Sequence, residues 1–200
     1  MRILASRYSF LTPHTVRTNH GFDTIGPFFP LLLYMPKPLS VYRWIFLIVL
    51  FLYLALLTKN ILFKKGGFRY YKHYFNSEYR HYSVKKGWAK ANTVPFRTIN
   101  LYKKGLERNN LTAEYNIWGN LIGFVPLGIL LPLAIPFFRR WWIMLPAGLL
   151  VSLGYETAQL LTGLGVWDVD DLLLNTGGAT AGYILFVMGA SIWNLIYPRK

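Results

Sequence analysis

The chain has 200 residues, of which 54% are apolar, 18% aromatic and only 15% charged, and its 22 Lys/Arg against 8 Asp/Glu leave a formal charge of +14. That composition excludes an ordinary water-soluble domain, because several apolar runs approach the roughly 20 residues with which a helix crosses a ~30 Å hydrocarbon layer. The absence of cysteine excludes a disulfide framework and a thiolate metal site, and a basic chain of this hydropathy suits anionic lipid better than nucleic acid.

The reading is an all-α integral membrane protein with four transmembrane helices, lodged in the cell membrane as a multi-pass protein. Residues 1–40 form a basic amino-terminal segment. Its apolar part is too short to span and is broken by Pro27, Pro30 and Pro36, so 1–37 is expected to be interfacial or re-entrant. No continuous apolar run precedes Phe22, which argues against a cleaved signal peptide. His14 and His20 are read as tail residues.

Val41–Leu57 is the first expected span, bulky throughout except at Ala55, and therefore a lipid-facing helix at the bundle edge. Residues 58–115 form a long connection with thirteen Lys/Arg against three Glu. Within it, Arg69–Ser83 reads as one amphipathic helix. Tyr70, Tyr71, Tyr74, Phe75, Tyr79 and Tyr82 line one face and Arg69, Lys72, His73, Asn76 and Arg80 the other. That pattern suits a helix lying in the headgroup layer. Nucleobases could stack on the same aromatics, but the flanking apolar segments tether the loop to lipid.

The second span is expected over Trp118–Phe138, kinked or unwound by Pro126 and Pro132, with Gly119 and Gly123 as a contact face. The third covers Trp141–Leu161. The fourth covers Leu172–Tyr197, with Gly178 and Gly182 at the same spacing and matching depth. Arg139-Arg140 and Arg199-Lys200 then lie on one side and the turn Gly163–Asp171 on the other. The positive-inside rule puts both termini in the cytoplasm and the acidic turn outside.

Five of the eight acidic residues fall between Glu114 and Asp171, and nothing basic lies between Arg140 and Arg199. Antiparallel spans gather Asn120, Glu156, Gln159, Asp168, Asp170, Asp171 and Asn175 at one outer-leaflet niche. Asn120 and Gln159 also suit plain interhelical hydrogen bonds, Asp168 and Asp170 a solvated turn, and Asp171 a helix cap. Glu156 is hardest to explain as scaffolding, since a carboxyl in a span costs ~3 kcal/mol at mid-membrane and usually marks a functional cavity. Glu156, Asp168 and Asp171 are the candidate catalytic groups. No cofactor is implied by the residues, although carboxylates at this spacing could hold a divalent cation.

Four blocks carry a resemblance. They are Val94-Pro-Phe-Arg97-Thr-Ile, Trp118-Gly-Asn120-Leu-Ile-Gly-Phe-Val-Pro126-Leu-Gly128-Ile-Leu-Leu-Pro132, Tyr155-Glu156-Thr-Ala-Gln159, and Trp167-Asp168-Val-Asp170-Asp171-Leu-Leu-Leu-Asn175-Thr-Gly177-Gly. In this order, over roughly residues 92–187, the chain resembles the VanZ-like family of polytopic bacterial membrane proteins, with the like domain covering 92–197. The resemblance implies a role in low-level teicoplanin resistance or the cell envelope. Family members often carry an Arg just before the acidic block, and Gly163–Trp167 has none. Arg97 remains as the basic candidate in a matching block, able to fork onto phosphate or carboxylate. The leading expectation is a pocket for an amphiphile: a membrane lipid, a lipid-linked cell-wall precursor or a lipoglycopeptide. The alternative is a membrane-embedded hydrolase or transferase acting on phosphate-containing lipids, with Arg97 on the phosphate, the aspartates on a metal and Glu156 moving protons. Against the alternative, no His or Ser nucleophile stands in a matching block. A transporter ranks third, since four spans make a small protomer.

Overall fold

The computed structural model describes residues 40–64, 67–75, 78–108 and 110–197. The expected interfacial segment over 1–37 and its histidines lie outside the described residues. Among those described, the chain is all-helical: α1 (Ser40–Leu62), α2 (Phe68–Phe75), α3 (Tyr79–Lys90), α4 (Arg97–Leu106), α5 (Leu111–Ala134), a 3₁₀ turn (Pro136–Arg139), α6 (Trp141–Thr162) and α7 (Val169–Ile196).

Three helices, Val41–Leu62, Leu111–Ala134 and Val169–Ile196, are long and apolar enough to cross a membrane. Four were expected. The difference is α6, whose 22 residues include Ser152, Glu156 and Gln159 on an otherwise apolar helix.

The connection from 58 to 115 is more structured than its polarity suggests. In place of one amphipathic helix over Arg69–Ser83 there are two, α2 and α3, and then α4. Tyr71 and Tyr74 turn inward, at 8% and 4% exposure. Tyr74 donates to the Thr162 carbonyl at the end of α6 (3.1 Å), and Tyr71 packs edge-on to Phe63. Gly163 makes this docking possible. It ends α6 in the left-handed region at φ 72°, and a Cβ there would lie 2.7 Å from the Tyr74 hydroxyl.

Helix α5 starts earlier than the expected Trp118. Asn110 caps it, its side chain accepting from the amides of Thr112 (3.0 Å) and Ala113 (3.4 Å). Pro126 and Pro132 are both accommodated inside a continuous helix, so the anticipated unwinding is absent. Two donors attend α5 carbonyls instead. Tyr53 of α1 donates to the Gly123 carbonyl (2.7 Å). The Pro132 carbonyl faces a residue four ahead, Pro136, that has no N–H, and Arg139 Nε supplies the bond at 3.2 Å.

The bundle is built on α5 against α7. A Cβ at Gly178 would sit 1.9 Å from the Leu121 carbonyl oxygen, one at Gly182 2.0 Å from that of Val125, and one at Gly128 2.0 Å from that of Ala179. The backbones therefore touch, as small residues permit in lipid. Gly119 and Gly123, expected as the partner face, have respectively nothing and only a Leu57 methyl within 4 Å. The register used is Leu121, Val125 and Gly128. Phe124, Leu127, Met144, Ala179, Tyr183 and Phe186 fill the core around the contact, and α1 leans on its outside through Leu50 and Leu57.

Substituting Gly182→Val forces a branched side chain into a backbone carbonyl and is expected to destabilise the bundle by about 3 kcal/mol or more. Gly189→Ala, with nothing within 4 Å, should be neutral or slightly stabilising. Thermal unfolding of the two purified variants in detergent checks the contrast; equal midpoints would refute the α5–α7 contact.

Candidate functional site

One end of the bundle collects the carboxyl ends of α1 and α6 with the amino ends of α5 and α7. The sequence residues meet there, and they divide into scaffold and remainder by counting hydrogen bonds.

Asp170 is 0% exposed, and both its oxygens are used. Oδ1 accepts from the amide of Phe96, and Oδ2 from the amides of Thr98 (2.6 Å) and Ile99 (3.1 Å). These are the first amides of α4, which has no side-chain cap of its own. A carboxylate from α7 therefore caps α4 from 71 residues away at Ile99. Anionic charge at a helix start is favourable in itself. Phe96, held at φ 65°, aims its amide at that carboxylate.

Asp168 caps α7 through the amide of Asp170 (2.8 Å). It also accepts from Asn92 Nδ2 (2.8 Å) and from the Thr98 hydroxyl (2.6 Å). Asn92 completes a ring by donating to Thr98 Oγ1 (3.0 Å). A short parallel bridge runs beside it, Asn92 N to the Trp167 carbonyl (2.9 Å) and Val169 N to the Asn92 carbonyl (3.0 Å). Asp168 and Asp170 are thus fasteners, not solvated turn residues. Gln159 is a fastener too, donating to the Ile61 carbonyl at the end of α1 (3.1 Å).

Glu156 and Asp171 keep spare capacity. Glu156, 3% exposed, accepts through Oε2 from the Asp168 amide (3.0 Å). Asp171 accepts through Oδ1 from Asn120 Nδ2 (2.6 Å). Their other oxygens have no hydrogen-bond partner among the described residues. One turn deeper, Asn175 donates to Ser152 Oγ (2.9 Å), and its own Oδ1 is sealed without a donor. Carboxylate and amide oxygens without partners gather here, with the sealed Thr176 hydroxyl one residue beyond Asn175, an arrangement that suits a donating guest or shared protons.

Two groups missed in the sequence face this pair. Tyr102 lies one turn after Thr98 on the docked face of α4. Burial first, then the negative charge of Asp171, Asp168, Asp170 and Glu156, push its phenol up to about 12, so it stays a proton donor at neutral pH. Lys64, just past α1, has a charge that reaches both Glu156 and Asp171. Arg97 is exposed and makes no hydrogen bond or ion pair through its side chain among the described residues. Asn92 and Thr98 had one legible cue, an Asx turn in which Asn92 Oδ1 accepts from Val94 N (3.1 Å). Among the described residues, no group of three or more His, Cys, Asp or Glu is placed to hold a metal ion.

This division predicts unequal costs. Asp170→Asn leaves buried amides short of an acceptor and should cost about 2–4 kcal/mol, with hydrogen exchange accelerated at Thr98–Tyr102. Asp171→Asn and Glu156→Gln, each with an oxygen to spare, should stay within about 1 kcal/mol of wild type. Exchange rates at α4 unchanged by Asp170→Asn would refute the cap.

No curated protein matches the chain, and no solved structure does. The sequence model of one family, VanZ/LLP1, matches residues 44–193. Together with three membrane-compatible helices, that match makes the chain a membrane protein, and it belongs to the VanZ/LLP1 family.

Proposed function

We propose that this VanZ/LLP1 protein binds the polar head of an amphiphile in the niche between Glu156 and Asp171, at the outer leaflet of the cell membrane. By doing so it would contribute to teicoplanin-type lipoglycopeptide resistance or to envelope maintenance. One observation carries the reading: among the described residues the buried Glu156 and the half-buried Asp171 each keep an oxygen without a hydrogen-bond partner, above an Asn175 Oδ1 with no donor. Such acceptors select a guest that brings hydroxyl or ammonium donors. Lys64 at the rim suits its phosphate, and the apolar flanks of α1 and α7 suit its acyl chains. Lipid-linked cell-wall precursors and lipoglycopeptides both meet that description.

The reading includes α6 as a fourth crossing. The polar residues that lower its hydropathy, Ser152, Glu156 and Gln159, are all buried, so the face left for lipid is apolar. The positive-inside rule, read from the basic short loops, supports an acidic turn on the outside. α2 and α3 would ride in the outer headgroup layer, since Tyr70, Tyr79 and Tyr82 stay exposed.

Tyr102 gives the enzymatic alternative a foothold. A neutral phenol beside two carboxylates can pass a proton to a leaving group, as a hydrolase or transferase of phosphate-containing lipids requires. Lipid profiling of an overexpressing strain, with and without chelator, separates the two. A lipid species that changes with wild type and not with Glu156→Gln favours the enzyme.

Cells carrying wild type are expected to differ from empty vector in fluorescent teicoplanin labelling and in susceptibility, and Glu156→Gln should return both to the vector level. Equal labelling and susceptibility in all three would sink the binding reading. Orientation is tested separately on the cysteine-free chain. Val166→Cys should react with an impermeant maleimide in intact cells and Arg140→Cys only after permeabilisation; the reverse pattern inverts the topology.

A further inference from the structure

At the opposite end, the corner between α5 and α6 holds a charge that the niche does not use. Arg139 closes the 3₁₀ turn and is 8% exposed. Its Nε is spent on the Pro132 carbonyl at 3.2 Å, and its own carbonyl is pinned by the Tyr183 hydroxyl at 2.6 Å. The corner is therefore fixed from both sides by α5 and α7. The remaining four guanidinium N–H donors have no acceptor, and no carboxylate pairs with the charge, among the described residues.

An arginine stays protonated in proteins, even though burial here pulls its pKa down. Among the described residues no carboxylate answers its charge. Among the described residues the two terminal nitrogens are not among the sealed, unpartnered atoms, which are Asn175 Oδ1 and Thr176 Oγ1, so the fork keeps an open edge. Their fixed fork matches two oxygens of a phosphate. The surroundings are those of a bilayer boundary. Arg140 lies over the Trp142 ring at 5.9 Å, Trp141 and Trp142 pack edge to face, and Trp141 and Phe137 are exposed. Basic side chains with amphipathic rings between two apolar helices are the setting in which phospholipid headgroups dock.

We propose that the α5–α6 corner is a phosphate-binding site, with the Arg139 fork as its direct ligand and Arg140 as a second cation at its rim, and that an anionic phospholipid headgroup fills it. The site depends neither on which face of the membrane the corner occupies nor on the amphiphile niche at the other end.

The full-length protein in detergent micelles is presented with phosphatidylglycerol, phosphatidylcholine or inorganic phosphate. Lipid retained is counted by native mass spectrometry, and the unfolding midpoint is followed by tryptophan fluorescence. Wild type should retain phosphatidylglycerol over phosphatidylcholine by about fivefold, the order that one basic side chain contributes at an anionic lipid surface. Arg139→Gln should bring the ratio to parity. Arg43→Gln, which removes an exposed charge on α1, should leave it unchanged. A midpoint raised by inorganic phosphate as much as by phosphatidylglycerol, and only while Arg139 is present, supports the phosphate site and names free phosphate as its source. If Arg139→Gln does not yield folded protein, Arg139→Lys decides: charge without the fork should lose at least half of the preference. The proposal is overturned by an absent wild-type preference, by Arg139→Gln or Arg139→Lys binding like wild type, or by an equal loss in Arg43→Gln, which would mean a diffuse basic belt.

Discussion

The acidic end of the bundle depends on one carboxylate spent on backbone. Helix α4 begins without a cap of its own and rests on Asp170, whose oxygens accept from Phe96, Thr98 and Ile99. That capture works beside the Asn92 bridge, the Thr98–Asp168 bond and the packing of Gly105 on Ala113 to hold the basic stretch around Arg97 against an otherwise apolar bundle. With it, Thr98 reaches Asp168 and Tyr102 comes within electrostatic reach of the carboxylates. Seven amide-capping or ring-closing bonds thus convert three clustered aspartates, which would repel one another in isolation, into a rigid rim with one acid left over.

That division explains what the sequence could and could not tell. The long apolar helices were legible because their length alone exceeds what a soluble helix needs, and the meeting of Glu156, Asp171, Asn120 and Asn175 at one end was legible because successive long helices run in opposite directions. The different work of Asp168, Asp170 and Asp171 was not legible. Their assignments depend on α4, and α4 is easily overlooked: Arg97-Thr-Ile-Asn-Leu-Tyr-Lys-Lys is amphipathic but short and basic, carries no side-chain N-cap of its own, and takes its cap from α7. Similarly, Gly119 and Gly123 have the same spacing as Gly178 and Gly182. Which pair makes contact depends on helix rotation, and spacing does not encode rotation. The amphipathic reading of Arg69–Ser83 failed in part because Tyr71 and Tyr74 find α1 and α6 instead of lipid, and a helical wheel treats both destinations as one apolar face.

The close α5–α7 contact has a consequence for the niche as well as for stability. Gly178 lies within a turn of Asn175, and Leu121 is next to Asn120, so the backbone contact begins directly beneath the polar side chains. A polar pocket between helices in lipid is prone to be closed by rotation of one helix about its axis. Interlocked carbonyls and glycines resist that rotation on the α5–α7 side. On the α6 side, the Asn175–Ser152 bond and the Glu156–Asp168 bond do the same. The unpaired oxygens of Glu156 and Asp171 are therefore preorganised: the bonds that hold these side chains use their other oxygens.

The two ends of the bundle solve opposite problems by similar means. At the acidic end, acceptors exceed donors, and the excess falls on Glu156, Asp171 and Asn175. At the other end donors exceed acceptors, and the excess falls on Arg139, where a proline-rich turn has left one carbonyl to take one N–H of five. Helix α6 joins the two, and nothing basic follows Arg140 until the last two residues of the chain. The two excesses cannot cancel one another along a helix of 22 residues, roughly 33 Å at 1.5 Å per residue. Among the described residues neither excess meets its counterpart, and the proposed membrane partners would supply one at each end. A guest that supplies donors at one end and one that supplies phosphate oxygens at the other are what this charge distribution asks for.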